Sequence, residues 1–567
     1  MHRVFRMRGL LVVLGVLAAV TVLAAACGSS GGTTGGGSTG GGSTPTAGGT
    51  YNFPLSANPV YLDPLQGNYE SEGTQIQHQV FQGLMAYQVQ KDGAMKAVPE
   101  IAKSFDVNSD ATVFTFHLKK DVTFAAPVSR GVTAQDFVDE WNRVTDPANK
   151  SLTSYIMAPI KGAGPDGYQT DPKKGLVGVK ALDDYTLQVT LQYPFAEFPQ
   201  TLGHAVAAVA PVDYISKVGE KAFNLKPVGT GPYEVQKWVQ NQYVDLVKNP
   251  DYWDKANAGY VDKIHMPVIT ELSTQWLTFQ KGDIDFTSVP PGQVRSSSNN
   301  ANVKSGEWSA YKWPALSTYY VGINMTDKTL GYPAGAKGKT LREALAYGMN
   351  APAVINVVQE GVDLPATGLV PVGVPGYRPG AKPFTYDPAK AKSLVKQYGT
   401  VPTLQYWFNT DEGHQKVAEA LQAGWQEVGI PVKLNNFEWS TFLDKLSKGN
   451  KGSGSQVFRY GWIADYPSMD NFTYALFQSQ NAGLVGYTFY NNKQVDQELQ
   501  DARATIDNQA RYDKYFAIEK QILSDYPMLP LYFYRDYRIV NNRVQGQFLD
   551  PMYFVDMWKV WVQKSSS

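Results

Sequence analysis

Cysteine is almost missing from this 567-residue chain, where Cys27 stands alone. A single cysteine forms no internal disulfide, so nothing in the fold is stapled that way. Histidine is scarce as well. His2, His78, His117, His204, His265 and His414 fall at no metal-ligand spacing, and no His-Glu-x-x-His occurs. A zinc centre is therefore not expected. Excess charge is also lacking, with 51 basic residues against 51 acidic. Without Arg3, Arg6 and Arg8 the remainder holds 48 against 51, a charge near −3. That balance gives no reason to expect nucleic acid as a partner. No internal repeat of fixed period is found.

Signals of catalysis are missing too. Gly36-Gly37-Ser38-Thr39-Gly40 matches the hydrolase elbow formally, but its Gly/Ser/Thr surroundings supply neither the strand nor the helix that an elbow needs. Gly338-Lys339-Thr340 resembles the end of a phosphate-binding loop, yet Pro333 stands where the first glycine belongs. These three residues read as a turn followed by a helix capped by Thr340. The acidic pairs Asp183-Asp184 and Asp283/Asp285 read as solvated turns. The expectation is a protein that is not an enzyme and carries no cofactor.

What is present begins at the N-terminus. Three arginines precede an apolar run from Leu10 to Leu23, followed by Ala24-Ala25-Ala26-Cys27. Such a charged, apolar and small-residue succession describes an export signal over 1–26, and the run is too short to favour a membrane span. Its end resembles the lipobox of bacterial lipoproteins, in which the cysteine is acylated. That likeness implies a lipid on Cys27, anchoring the protein to the outer face of the cell membrane. Residues 27–50 are otherwise almost entirely Gly, Ser and Thr, a flexible tether.

Strand-like and helix-like stretches alternate through the remainder. Val113–Leu118 and Thr186–Leu191 carry the period of two of half-buried strands. Tyr233–Trp238 and Tyr243–Val247 read as a hairpin. Thr133 caps a helix running to about Val144, which Asp146-Pro147 stops, and another runs from Glu412 to Val428 before Gly429. The mixture implies an α/β or α+β architecture with mixed sheets. Aromatics make up 13%, including 34 Tyr and 12 Trp, residues suited to ligand clefts and interfaces.

Weak motifs recur in a definite order. They include Leu62-Asp63-Pro64, Gln79–Leu84, Thr133–Val138 with Trp141 and Arg143, Pro227–Tyr233, Asn249–Trp253, Gly322–Met325, Leu341–Leu345 and Gly461–Tyr466. In this order they resemble the peptide-binding family of extracytoplasmic solute-binding proteins of ABC transporters, most nearly the oligopeptide-binding proteins. The resemblance implies an α/β fold of two lobes joined by a hinge, with an extra inserted domain and the ligand cleft between lobes. The first lobe is expected over 51–90, 222–314 and 536–567, the inserted domain over 91–221 and the second lobe over 315–535.

The same likeness implies the site. Asp465 matches an aspartate that pairs with the ligand's α-ammonium; on residue chemistry alone it reads as a turn residue ahead of Pro467. His414 and Arg459 match a histidine and an arginine that receive the carboxylate of short peptides. Trp439 and Trp462 match pocket-lining positions, whose ordinary reading is core packing. Gly461 and Ile463 flank Trp462 and offer backbone groups to an extended ligand. Leu446 stands where relatives carry another basic residue, with Lys445 and Lys448 nearby, and 448–455 is longer than the family pattern. The implied partners are a peptide and the permease subunits of a membrane transporter, with the protein itself a monomer. Alternatives are a non-peptide solute, such as a metal chelate or oligosaccharide, and, from another class, a secreted lipoprotein hydrolase.

Overall fold

Two long strands, Trp308–Ile323 and Met528–Asn541, run antiparallel through the middle of the molecule. The computed structural model describes residues 44–67, 72–290, 292–449 and 455–563. Cys27, the export signal, most of the tether, the Gly36–Gly40 match and the stretch 450–454 lie outside the described residues. From Pro45 onward the described residues form one compact unit.

The long strands belong to a seven-stranded mixed sheet. Its order is Phe286–Ser288, Met528–Asn541, Trp308–Ile323, Val457–Ile463, Leu404–Asn409 and Val432–Phe437, with Leu364–Pro365 paired to the second of these. Leu404–Asn409 runs parallel to both of its neighbours, and the pairs nearer the centre are antiparallel. Successive side chains of a strand point to opposite faces. Accordingly Tyr406 and Phe408 enter one apolar core with Tyr319, Val321 and Trp425, while Trp407 enters another with Tyr320, Phe442 and Phe458. Helix Glu412–Glu427 covers the first face through Val417, Leu421 and Trp425, whose Nε1 donates to the Leu345 carbonyl at 2.9 Å. Helix Trp439–Ser447 covers the other through Phe442 and Leu446.

Two four-stranded sheets lie elsewhere, with two two-stranded ones besides. Tyr233–Val239 and Tyr243–Lys248 form the expected hairpin and continue through Lys263–Pro267 to Thr50–Asn52. Their core also takes in Val540, Val555 and Val560 from near the C-terminus. A four-stranded antiparallel sheet holds Val113–Leu118 and Thr186–Thr190 at its centre, with Phe114, Phe116 and Leu118 pointing inward as the alternation requires. Helix Ala134–Thr145 packs on this core through Phe137, Trp141 and Val144. The Asp136 carboxylate accepts from the Thr133 amide at 2.8 Å, a reciprocal cap of the kind that fixes helix starts.

Two sequence expectations need correction. The helix placed after Thr340 spans Gly335–Gly348, so Gly338-Lys339-Thr340 lies inside it, and Thr340 donates to the Ala336 carbonyl one turn back. Gly338 serves packing here, because a Cβ there would come within 2.7 Å of the Ala334 side chain. Asp285 is not a solvated turn residue. It is fully buried, accepting from the Asn52 amide at 2.9 Å and from Arg543 at 2.6 Å. Burial pushes its pKa up to about 6, opposed by the Arg543 charge. Asp183, Asp184 and Asp283 are exposed.

Candidate ligand-binding site

The pairing of the two long strands slips between Pro314 and Thr318, leaving Ala315, Leu316 and Ser317 as a bulge. A bulge bends a strand and re-aims its side chains. Around it lies a cavity of about 510 Å³, with Ser317 and Tyr534 of the long strands in its wall. Six of the seven sequence-predicted residues line this cavity: Asp465, Arg459, Trp462, Trp439, Gly461 and Ile463.

Strand Val457–Ile463 carries most of them. One edge pairs throughout with Trp308–Ile323. The other edge meets Leu404–Asn409 only at Val457 and Phe458, so among the described residues Arg459–Ile463 have no strand partner on that side. Such an edge is a template for an extended chain. Gly461 keeps the approach open. A Cβ there would lie 3.3 Å from the Thr318 carbonyl oxygen, 3.6 Å from Nη2 of Arg459 and 3.8 Å from the Tyr534 hydroxyl.

Arg459 stands at one end of this edge. Its guanidinium donates to Oδ1 of Asn409 at 3.0 Å and to the Tyr534 hydroxyl at 3.5 Å, and sits 5.0 Å from the Tyr319 ring centroid. It is 8% exposed, and no carboxylate among the described residues forms an ion pair with it. Burial works against its charge, yet the phenols of Tyr534 and Tyr319 hold its pKa above the ordinary arginine value. A buried cation without an anion is costly, and an anionic group entering the cavity relieves that cost.

Asp465 stands at the other end, just past Ile463. The side chain of Asn471 holds it in place: Oδ1 accepts from the Asp465 amide at 3.0 Å and Nδ2 donates to the Asp465 carboxylate at 3.0 Å. The same Oδ1 accepts from Nε1 of Trp462 at 2.9 Å, tying the indole to the carboxylate. Asn471 is buried on helix Met469–Phe477, whose N-cap is Ser468. From 310 positions away in sequence, the Tyr155 hydroxyl donates to the other Asp465 oxygen at 2.8 Å.

His414 does not line the cavity. It sits in the first turn of Glu412–Glu427, capped by Asp411, with its ring 5.7 Å from that of Tyr319. Burial and the nearby Arg459 charge depress its pKa to about 4, leaving the imidazole neutral at pH 7. Trp439 is half exposed, with its ring nearly parallel to that of Tyr460. Leu446 packs in the core, while Lys445 lies over Phe437 and Lys448 pairs with Asp444.

Sequence reasoning missed the opposite wall, formed by Leu152, Thr153, Tyr155, His204 and Tyr553. Nδ1 of His204 accepts from the Val206 amide at 3.1 Å, and burial pushes the ring's pKa down to about 3. Nothing in the local pattern around these residues marks a site. The one legible hint was Pro467-Ser468, a helix-start signal that positions Asn471.

The family model described as bacterial extracellular solute-binding proteins, family 5 (middle), matches residues 96–483. The chain belongs to that family. Among curated relatives, the periplasmic oligopeptide-binding protein OppA of Escherichia coli is 31% identical over 506 residues, covering 86% of this chain and 87% of its own. Oligopeptide-binding protein OppA of Bacillus subtilis is 28% identical over 521 residues, covering 88% and 90%. Among solved structures, the Escherichia coli murein tripeptide binding protein MppA superposes with a TM-score of 0.69 at 27% identity, over 92% of this chain and 99% of that one. The fold is accordingly the mixed α/β, two-lobed form of the family 5 binding proteins, an extracytoplasmic class. No helix among the described residues is long and apolar enough to cross a membrane.

Proposed function

We propose that this protein captures short peptides in the cavity at the strand bulge and hands them to the permease of an ABC transporter. One observation carries the reading: an anionic and a cationic side chain, Asp465 and Arg459, bound a single cavity and are joined by the stretch Arg459–Ile463, whose second edge has no strand partner among the described residues. A zwitterion with a hydrogen-bonding backbone matches all three features. Its ammonium pairs with Asp465, its carboxylate with Arg459, and its main chain adds to the edge. His414, neutral and one layer back, supports the Arg459 end. The relatives named for oligopeptides favour the same ligand class.

In this reading the molecule works as two lobes. The first comprises 51–90, 222–314 and 536–567, the second is 315–535, and the inserted domain is 91–221. The long strands form the hinge. Closure buries the ligand and composes the surface that the transporter reads. No bond is made or broken. A lipid on Cys27 and the Gly-rich tether hold the protein, as a monomer, at the outer face of the membrane.

Mass spectrometry of small molecules released by acid from the purified protein tests the reading. Peptides with free termini are expected. A single non-peptide solute in stoichiometric amount would overturn it.

A further inference from the structure

Among the described residues lining the cavity, the two charged side chains are Asp465 and Arg459. Every other side chain among them is neutral or, as with His204, held neutral by burial. Its walls also hold an unusual share of the molecule's exposed apolar surface. Leu152 is 58% exposed, Tyr155 42%, Ile463 41% and Trp439 39%. These are four of the seventeen large hydrophobic side chains exposed among the described residues. They come from both walls, Leu152 and Tyr155 from one and Trp439 and Ile463 from the other. Tyr460, Trp462, Tyr534 and Tyr553 line the same cavity.

Apolar groups clustered at a concave site gain by being covered. A charged group brought among them gains only if a counter-charge meets it. The two counter-charges present are engaged by the ligand's own termini. A third charge, from a lysine, arginine, aspartate or glutamate side chain of the ligand, would give up part of its water against these apolar groups and meet no opposite charge among the described lining residues.

We infer that the preferred ligands are peptides charged only at their termini, with uncharged and mainly apolar side chains. This rests on the peptide reading above and narrows it: the receptor selects among peptides and does not accept all of them alike. Leu152 and Tyr155 are then selectivity residues for the ligand's first side chains, because the Tyr155 hydroxyl reaches the carboxylate that takes the ammonium.

Calorimetry with the full mature chain tests this, using Ala-Leu-Phe-Ala and variants in which each of the first three positions becomes Lys or Glu. The apolar parent should bind, and a charged residue in at least one position should weaken binding about tenfold or more, as expected for a desolvated, unpaired charge. A Leu152→Asp variant, altered at an exposed side chain, should recover affinity for a Lys-containing peptide. Charged variants binding within twofold of the parent at all three positions would overturn the inference and leave the peptide reading standing. Failure of every peptide to bind would overturn that reading and this inference with it.

Discussion

At the residue scale the site is two opposite charges, each held by neutral neighbours. Asn471 orients Asp465, while Asn409 and Tyr534 orient Arg459. Arg459→Ala should weaken binding of a free-carboxylate tetrapeptide by about thirtyfold or more, the usual scale for removing one partner of a buried charge pair. Affinity for the C-terminal amide should change far less, and calorimetry with both ligands reads the difference. His414 makes a separate prediction. Its folded pKa of about 4 lies below the ordinary histidine value, so the unfolded chain takes up its proton first as pH falls. The stability it supports is complete above about pH 6.5 and is lost as pH falls from there toward 4. The unfolding free energy from urea titrations should therefore drop less between pH 7 and pH 5 for His414→Asn than for the native chain, by roughly 1–2 kcal/mol.

At the scale of elements, the sequence was legible where a local rule had no competitor. The helix after Thr133 starts and stops within a residue of expectation because Asp136 and Asp146-Pro147 act locally. Val113–Leu118 alternates because one face of its sheet is buried. Thr340 misled because Gly338 answers to close packing, which spacing does not reveal. Asp285 misled because its partners, Asn52 and Arg543, are more than 230 positions away on either side. The open edge at Arg459–Ile463, without a strand partner among the described residues, is an element-level property, and Gly461 lies within it. Gly461→Val places a branched side chain over Arg459, so peptide affinity should fall more than about tenfold. Thermal stability should fall modestly, because a β-branched residue suits a strand but its Cβ would press on the Thr318 carbonyl at 3.3 Å. Loss of folding together with loss of binding would make Gly461 a packing residue only.

At the scale of the whole molecule, the ordered motifs made the family visible, while half of the cavity wall stayed hidden. Tyr155 and His204 join Asp465 around one cavity only after some 260 or more residues of chain have folded between them. The segment around Glu197 reaches residues of the 315–535 region in the same way. Its carboxylate accepts from Ser468 at 2.6 Å and lies 3.5 Å from Arg511, and Phe195 lies under the Arg503 guanidinium. If the lobes part when empty, these contacts break with them. Glu197→Ala should then leave the ligand-bound protein more expanded in small-angle scattering than the native complex.

The central claim is that Asp465 receives a peptide's free ammonium. Titration calorimetry with one tetrapeptide and its N-acetylated twin measures this directly. The free peptide should bind at least about thirtyfold tighter, since acetylation leaves a half-buried carboxylate without its cation. Equal affinity for the two would contradict the account.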